Sequence, residues 1–371
     1  MDKIFRVAII GFGHMHINEV GLSYHNNPNT KIVAITDTKP EIPELRAAPY
    51  TREWNFKHAQ EIYPEAKVYD NYSAMLENEK LDLAVVTCEV RYHREVVLAC
   101  AKNGVDVCIE KPMAYNLEDA LAMVREVKER GTVLMVNWPV VWSAGSRTMQ
   151  RLAEEGAIGH VFQMRLRIGH SGPLGMGAKH AGVTETAAPM TGYERAHTWW
   201  HRRTMGGGAM LDYCCYGCLL AQWFIGQDAE AVMGMRANLN SEWGDADDSA
   251  ALIVRFPSAM ATLEGTWAMF HPGLPGGPVL YGSEGTMLSN REGVVIYSAD
   301  GTERTESIPP LPAGRETIAA EYAHHKLTGE PLYILVERDY NLRVMAMLDA
   351  GLRSADSGKL ETVDSSHWRI G

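Results

Sequence analysis

The sequence predicts an α/β protein: an N-terminal doubly wound parallel sheet, then an α+β domain with a large, open, mainly antiparallel sheet. Up to about residue 136, short and uniformly apolar strands alternate with amphipathic helices, as in a parallel sheet buried on both faces. Beyond residue 159 the strands are longer and alternate apolar with polar residues, as in a sheet with one wet face. A length of 371 residues favours two domains, which we place at 1–136 and 137–371.

The composition argues against several classes of function. Net charge is −11 and basic residues form no block, so neither nucleic acid nor an anionic membrane is an expected partner. No apolar run approaches the roughly 20 residues that span a bilayer, and a core strand follows the N-terminus directly, so we expect a cytoplasmic protein. The six cysteines are expected to be buried thiols. Cys215 and Cys218 lack a second pair at zinc-ligand spacing, so no metal is expected.

The first half opens with a strand, a glycine turn and a helix. Residues 4–10 form the strand, and the segment Gly11–His16 supplies two glycines: one for a tight turn, one for close approach of a pyrophosphate. The next strand, Lys31–Thr36, ends in Asp37, which can bind both ribose hydroxyls and repel a 2′-phosphate. This register predicts a dinucleotide site that prefers NAD, although Lys39 leaves some room for NADP.

The remainder of the first half alternates strands and helices after an irregular, proline- and charge-rich stretch at 40–66. The predicted elements are a strand at Leu81–Thr87, a helix at His93–Asn103, a strand at Val105–Ile109, a helix at Glu118–Arg130 and a strand at Thr132–Val136.

Lys111 follows the buried strand that ends at Ile109, within Glu110-Lys111-Pro112. Ligands of open α/β sheets bind outside the carboxyl ends of the strands. A lysine there can hold a substrate hydroxyl or carbonyl, and partial burial can lower its pKa. Taken alone, the pattern fits an exposed Lys-Pro turn better than a functional lysine. The choice between the two interpretations depends on motifs elsewhere in the chain.

The second half begins with a helix and continues with strands of a mixed or antiparallel sheet. We predict a helix at Ser146–Glu155, strands at Val161–Ile168, Ala229–Met235, Ser249–Phe256, Met260–Trp267, Pro278–Gly282, Thr286–Ser289 and Gly293–Tyr297, and closing helices at Arg315–Leu327 and Tyr340–Ser357.

A long loop and a glycine-led helix lie between these strands. The loop Ser171–Gly192 is rich in Gly, Ala and Pro, and a loop of that length is usually functional or disordered. The triple glycine at 206–208 starts an apolar helix that carries one acid, Asp212, with Tyr216 four residues later on the same face. This pair could hydrogen-bond one substrate hydroxyl, or it could belong to a capped core helix with a satisfied aspartate.

Together these motifs resemble the Gfo/Idh/MocA oxidoreductases, the group of glucose–fructose oxidoreductase and inositol dehydrogenase. The motifs that carry the resemblance are Gly11-Phe12-Gly13 with Asp37, His93 ahead of Glu110-Lys111-Pro112, Gly156-Ala157-Ile158-Gly159, the glycine segment Gly206–Tyr216, and the tail Arg353–Gly358. The resemblance covers most of the chain. It implies a Rossmann domain, then an open sheet whose outer face commonly forms an oligomer interface.

The resemblance also implies a chemistry and a set of site residues. The family oxidises or reduces sugars and polyols with NAD(H) or NADP(H). It implies Lys111 and Asp212 as catalytic residues, with Tyr216 in place of the usual histidine. Candidate cofactor residues are Gly11, Phe12, Gly13, His14, Met15, Asp37, Thr87, His93, Glu110, Lys111 and Asn137. Candidate substrate residues are the motif residues Lys111, Asp212 and Tyr216. To these we add Trp138 and Trp200, whose aromatic faces suit sugar rings, and the polar candidates from the loop, His180, His197, His201 and Arg203.

The sequence departs from the family pattern at three places. Tyr216 replaces the catalytic histidine, Cys88-Glu89-Val90 replaces a Thr-Pro-Asn stretch, and His16 replaces the third glycine or alanine of the fingerprint. We expect Tyr216 to take the substrate proton, assisted by Lys111, which would lower the pKa of the phenol. Asp212 would orient the substrate through an adjacent hydroxyl.

Three interpretations follow for function. The first is an NAD(P)-dependent dehydrogenase or reductase of a sugar or polyol, assembled as a homodimer or tetramer through the second sheet. The second is a glycosidase or lyase that holds NAD, oxidises transiently, eliminates and re-reduces. The third is a non-catalytic dinucleotide sensor, which the presence of both Lys111 and Asp212 disfavours.

Overall fold

The first sheet is parallel and has the strand order expected for dinucleotide binding. The structure is a computed structural model that describes residues 3–39, 43–241, 243–271 and 277–363. Six parallel strands run in the order β3-β2-β1-β4-β5-β6. The strands are β1 Phe5–Ile10, β2 Thr30–Thr36, β3 Lys67–Tyr69, β4 Leu83–Val86, β5 Asp106–Glu110 and β6 Leu134–Asn137; the helices are α1 Ile17–Asn26, α2 Arg52–Ile62, α3 Tyr72–Asn78, α4 His93–Lys102 and α5 Leu117–Arg130.

The second sheet has nine strands, and its pairs are antiparallel except β7 with β10. The order is β14-β13-β12-β11-β7-β10-β9-β8-β15. The strands are β7 Val161–Gly169, β8 Ala231–Ala237, β9 Ser249–Arg255, β10 Met260–Thr266, β11 Val279–Gly282, β12 Gly285–Ser289, β13 Val294–Ser298, β14 Glu303–Glu306 and β15 Glu361–Thr362. The helices are α6 Ala144–Glu154, α7 Gly192–Ala196, α8 Cys215–Ile225, α9 Ile318–Thr328 and α10 Arg338–Ser357. The predicted fold class is confirmed; the boundary at residue 136 stays a prediction.

The prediction that residues 40–66 are irregular is wrong for the part occupied by α2. This helix was missed because its buried face carries polar side chains, Arg52 and Asn55, together with a single small apolar residue, Ala59. A search for apolar periodicity cannot detect such a face. Strands β3, β14 and β15, of two to four residues each, and the short helix α3 were missed as well.

The cysteine and loop predictions agree with the structure. All six cysteines are buried free thiols. Between Gly169 and Gly192 the chain forms no helix or strand. Within the described ranges, no helix combines the length and the apolar character needed to cross a bilayer.

Trp138 joins the end of β6 to the last long helix. Its indole is 1% exposed, and its Nε1 donates to Oδ1 of Asn341 at 2.8 Å. Asn341 is fully buried in α10 and donates through Nδ2 to the carbonyls of Leu335 and Glu337, each at 2.9 Å. One amide therefore binds the Trp138 indole at the end of β6 and two carbonyls of the segment just before α10.

We predict that Asn341→Ala lowers the free energy of unfolding by about 2–4 kcal/mol, because it leaves the buried Trp138 indole and the Leu335 carbonyl without their partner. Urea unfolding followed by tryptophan fluorescence measures this. Asn78→Ala is the matched control, because the exposed Asn78 amide bonds only a carbonyl of its own helix. Equal effects of the two substitutions would contradict the structural role of Asn341.

Candidate active site

The chain brings Lys111, Asp212 and Tyr216 together across the two sheets. Every residue of β5 is buried, and Lys111, the residue that follows this strand, is itself only 2% exposed. Its Nζ donates to Oδ1 of Asp212 at 2.5 Å and to the main-chain oxygen of Asp212 at 2.9 Å. The same Nζ lies 4.7 Å from the centroid of the Tyr216 ring. The ion pair and the cation–π contact thus share one ammonium group.

The helix that carries Asp212 is fixed at its start by another acid. Met210 donates its N–H to Oδ2 of Asp247, and Ala209 donates its N–H to the main-chain oxygen of Asp247, both at 2.8 Å. The first turn, Met210–Cys214, is a π-helix that continues into α8. Trp267 then donates from Nε1 to Oδ2 of Asp212 at 2.9 Å, so both carboxylate oxygens have a partner.

Burial and pairing decide which groups of this cluster are charged. Burial opposes the charge of Lys111, but Asp212 outweighs it and holds the pKa of Lys111 well above its usual value. Burial also opposes ionisation of Asp212, but Lys111 and the Trp267 hydrogen bond lower the pKa of that carboxyl. The pair is therefore an ammonium and a carboxylate at neutral pH.

The expectation that the pKa of Tyr216 is lowered is wrong. Burial raises the pKa of Tyr216, and Lys111 opposes this only in part. The reason is that removing the phenol from water penalises the phenolate more than the neighbouring ammonium stabilises it. Tyr216 therefore keeps its proton throughout the neutral range.

The glycine turn is built as the fingerprint requires. Gly11 has φ +87°, and a Cβ there would lie 2.5 Å from that of Cys88. Thr87 donates from Oγ1 to the Gly11 carbonyl at 2.6 Å and accepts the N–H of His14 on its own carbonyl at 2.9 Å. Thr87 therefore shapes the turn from the neighbouring strand. Met15, two residues before α1, is 4% exposed.

Asp37 lies at the end of β2 and is paired with an arginine that the sequence analysis did not identify. Its Oδ1 accepts the N–H of Phe12 at 2.9 Å and Nη1 of Arg52 at 2.6 Å. Arg52 also pairs with buried Glu89. A Cβ placed on Gly13 would lie 2.8 Å from Nη2 of the Arg52 guanidinium. Burial raises the pKa of Asp37, and Arg52 opposes that shift.

These residues fit a dinucleotide. Beside Asp37 is a cavity of about 270 Å³ lined by Asp37, Thr38, Lys39, Asp70, Asn71, Tyr72, Tyr92 and Glu95. Its aromatic and acidic lining suits an adenosine. Arg52 places a positive charge against Gly13, on the side of the turn that a Cβ would occupy and that phosphate groups approach.

Glu110, Asn137 and His93 make contacts within the protein. Glu110 accepts Nδ2 of Asn137 at 2.5 Å on Oε1 and the N–H of Lys111 at 3.2 Å on Oε2. His93 is buried, with its ring nitrogens 3.2 and 3.3 Å from the carbonyls of Met113 and Cys88. Burial lowers the pKa of His93. These contacts support the strand ends, and a role for the three residues in cofactor binding stays a prediction.

Three of the candidate substrate residues lie close to the site. The Trp138 ring packs edge-on against Tyr216, with centroids 5.4 Å apart. Trp200 packs against His14 at 4.7 Å, and the ring of His180 lies 6.1 Å from that of His16. Burial lowers the pKa of His180 to about 4, so this imidazole is neutral at pH 7.

The other three candidates contact different neighbours. His197 lies against Tyr193, with its Nδ1 2.7 Å from the Tyr193 carbonyl. The buried His201 packs on Trp267, the residue that supports Asp212, and burial lowers its pKa to about 3. Arg203 is about half exposed, and its Nη1 lies 3.9 Å from Asp356 of the last long helix. None of these contacts among the described residues reaches Lys111.

Sequence reasoning missed several residues of the site. Trp267 and Arg52 carried no motif signal, and Arg52 lies in the helix that was not recognised. His16 was noted only as a departure from the glycine pattern, yet its Nδ1 lies 3.1 Å from Oε2 of Glu110. Two features of the sequence could have indicated this contact: His16 departs from the glycine fingerprint, and the acid Glu110 ends a strand of the same sheet.

The strand order, the glycine turn with Asp37, and the lysine at the carboxyl edge define a dinucleotide-dependent enzyme of the Rossmann type. Residues 5–138 match the model of an oxidoreductase family with an NAD-binding Rossmann fold, GFO_IDH_MocA, and residues 146–288 match the GFO/IDH/MocA C-terminal domain. The chain belongs to the Gfo/Idh/MocA family of oxidoreductases, and NAD is its cofactor class.

Individual relatives agree at the level of the family. Myo-inositol 2-dehydrogenase of Thermotoga maritima is 24% identical over 70% of this chain and 72% of its own length. A 2,7-anhydro-N-acetylneuraminate hydratase of Escherichia coli is 26% identical over 52% of this chain and 47% of its own length. The structure of levoglucosan dehydrogenase in complex with NADH and levoglucosan superposes with a TM-score of 0.75 at 18% identity, covering 98% of this chain and all of that one. That likeness shows the shared fold.

We predict that Asp212→Asn lowers the free energy of unfolding by about 3–5 kcal/mol at pH 7, because it leaves the buried Lys111 charge without a counter-charge. The pKa of Asp212 is lowered on folding, so its contribution is present above the unfolded carboxyl pKa of about 3.9 and is lost as pH falls through the folded value. The difference between wild type and variant should therefore shrink below about pH 4.

Chemical denaturation at pH 7 and pH 3.5 measures this difference. Asp356→Asn is the control, because Asp356 pairs with Arg236 while 59% of its side chain is exposed, and such pairs contribute only about 0–1 kcal/mol. A loss for Asp212→Asn that is small at pH 7, or that does not depend on pH, would refute the buried ion pair.

Proposed function

We propose that the protein is an NAD-dependent oxidoreductase acting on a secondary alcohol or ketone of a sugar, sugar derivative or polyol. The observation that supports this most strongly is the shared contact of Lys111 with Asp212 and Tyr216 at the carboxyl edge of the parallel sheet. The inositol and levoglucosan dehydrogenases among its relatives act on polyhydroxylated molecules, and this similarity supports the same substrate class.

Each residue of the cluster has a distinct task in this proposal. The nicotinamide supplies the hydride or accepts it. Tyr216 holds a proton next to the reacting oxygen, at the position of the usual family histidine. Lys111 stabilises negative charge on that oxygen, and Asp212 fixes the ammonium and orients a neighbouring hydroxyl.

The raised pKa of Tyr216 favours the direction of reduction. A phenol that keeps its proton at neutral pH can donate it to a carbonyl oxygen, whereas taking a proton from an alcohol requires the phenolate. We therefore expect reduction to depend little on pH between about 6 and 9, and oxidation to accelerate as pH rises.

The decisive substitutions are Lys111→Met and Tyr216→Phe. On the substrate identified from a panel of sugars, inositols and glycosides, we predict that each lowers kcat by about 10²–10⁴-fold, the usual contribution of a positioned proton donor or charge. NADH formation or consumption, followed by its absorbance, gives the rate.

Tyr340→Phe is the matched control. The Tyr340 hydroxyl is buried and has no hydrogen-bond partner among the described residues, so its removal should leave kcat unchanged. Near-full turnover of both Lys111→Met and Tyr216→Phe would show that the proposed roles are wrong.

A glycosidase or lyase with transient oxidation is the second candidate, and the similarity to a hydratase favours it. The same assay separates the two. Steady net NADH formation with one polyol supports the dehydrogenase. Release of an aglycone, or of a product that has lost water, with cofactor that stays bound and shows no net change, supports the second candidate.

We also propose that the protein is cytoplasmic and assembles as a homo-oligomer through the outer face of the second sheet. The free thiols support the location. The outer face exposes large apolar side chains, among them Met233, Met235, Ile253 and Met260.

Light scattering after gel filtration should therefore give a mass of two or four chains. Met235→Glu combined with Ile253→Glu should shift it toward one chain, because two buried charges at an interface have no partner. Lys57→Glu combined with Glu118→Lys, at surface positions of the first half, is the control. A wild-type mass of one chain would refute the assembly.

A further inference from the structure

We propose that His14, His16 and Glu110 form a binding site for one divalent transition-metal cation of the zinc type. The three side chains each offer one ligand atom, and these atoms lie within 4.8 Å of one another. Two imidazoles and one carboxylate are a ligand set that zinc accepts, with further coordination positions left open. This differs from the sequence analysis, which considered metal only at the cysteine pair, and it does not depend on the proposed function.

The spacing of two of the ligands already suits a metal centre. Ligands bound at about 2.0–2.1 Å in a tetrahedron lie about 3.3 Å apart. Nδ1 of His16 and Oε2 of Glu110 are 3.1 Å apart. Only His14 has to approach, and its ring centroid is 4.3 Å from that of His16.

His14 gives a second, independent observation. Its ring is 2% exposed, its Nδ1 accepts the N–H of His16 at 3.2 Å, and its Nε2 has no hydrogen-bond partner among the described residues. Buried polar atoms nearly always have a partner, and a bound ion is one explanation of an exception. Because Nδ1 accepts that N–H, the ring proton of this tautomer is on Nε2; a cation bound at Nε2 moves the proton to Nδ1 and replaces the His16 contact.

The surroundings complete the site. Asn137 holds the other oxygen of Glu110 at 2.5 Å, the kind of outer contact that orients a carboxylate ligand. The carboxylate of Glu110 offsets part of the cation charge, and nearby Lys111 is already neutralised by Asp212. The side chain of His16 is 16% exposed, which gives a cation a path of entry.

The test is zinc binding by the full chain without cofactor or substrate, so its result is separate from that of the turnover assay. After treatment with a chelator, calorimetric titration with Zn²⁺ should give one equivalent per chain. His16→Ala and Glu110→Gln should each weaken binding by at least about tenfold, since even outer contacts contribute 10–100-fold to metal affinity. Asn137→Ala should weaken it less.

His160→Ala is the matched control, because His160 is an exposed histidine on the second domain and should not change the affinity. His16→Ala also restores the residue type of the family fingerprint, and thermal unfolding verifies that each variant is folded. Absence of saturable binding, or equal affinity of wild type and both ligand variants, would overturn the proposal. Substitution with Co²⁺ that gives a thiolate charge-transfer band would assign the metal to cysteines and overturn it as well.

Discussion

The buried ion pair between Lys111 and Asp212 is the constraint on which the rest of the site depends. Removing two charges from water costs several kcal/mol for each ion, and only close geometry with further hydrogen bonds offsets this. The structure meets that condition with the Trp267 indole on one carboxylate oxygen and the Asp212 carbonyl on the ammonium. Because Lys111 follows a strand of the first sheet and Asp212 lies in the first turn of a helix over the second, the pair also links the two halves of the chain.

Burial, more than the ion pair, determines the character of Tyr216. A neighbouring ammonium draws the pKa of a phenol downward. Lys111 has this effect on Tyr216, but burial outweighs it and raises the pKa of the phenol. In the proposed function, Tyr216 at the position of the family histidine is more than an exchange of one proton carrier for another. A histidine titrates near neutrality, whereas the buried phenol stays protonated, which favours proton donation.

Much of the fold was predictable, and the reasons are visible in particular segments. The strands that carry the motifs, such as β1 and β5, are continuous apolar runs, so composition alone reveals them. Helix α2 was not predictable in this way, because the buried residues on its face are mostly polar. The helix positions Arg52 against Asp37 and Glu89. Local sequence cannot show a buried charge whose partners lie 15 and 37 residues away.

The residues of the candidate site were also predictable only in part. Lys111, Asp212 and Tyr216 lie in motifs, and the structure does bring them together. Trp267 and the contact of His16 with Glu110 depend on which strand ends are neighbours, and that is a property of the sheet. Arg52 changes the reasoning about the cofactor most. Arg52 is shared between Asp37 and Glu89, so this one guanidinium offsets the charge of Asp37 only in part. In the proposed function, the preference for NAD therefore rests on the remaining negative charge of Asp37 together with its capacity to accept the ribose hydroxyls.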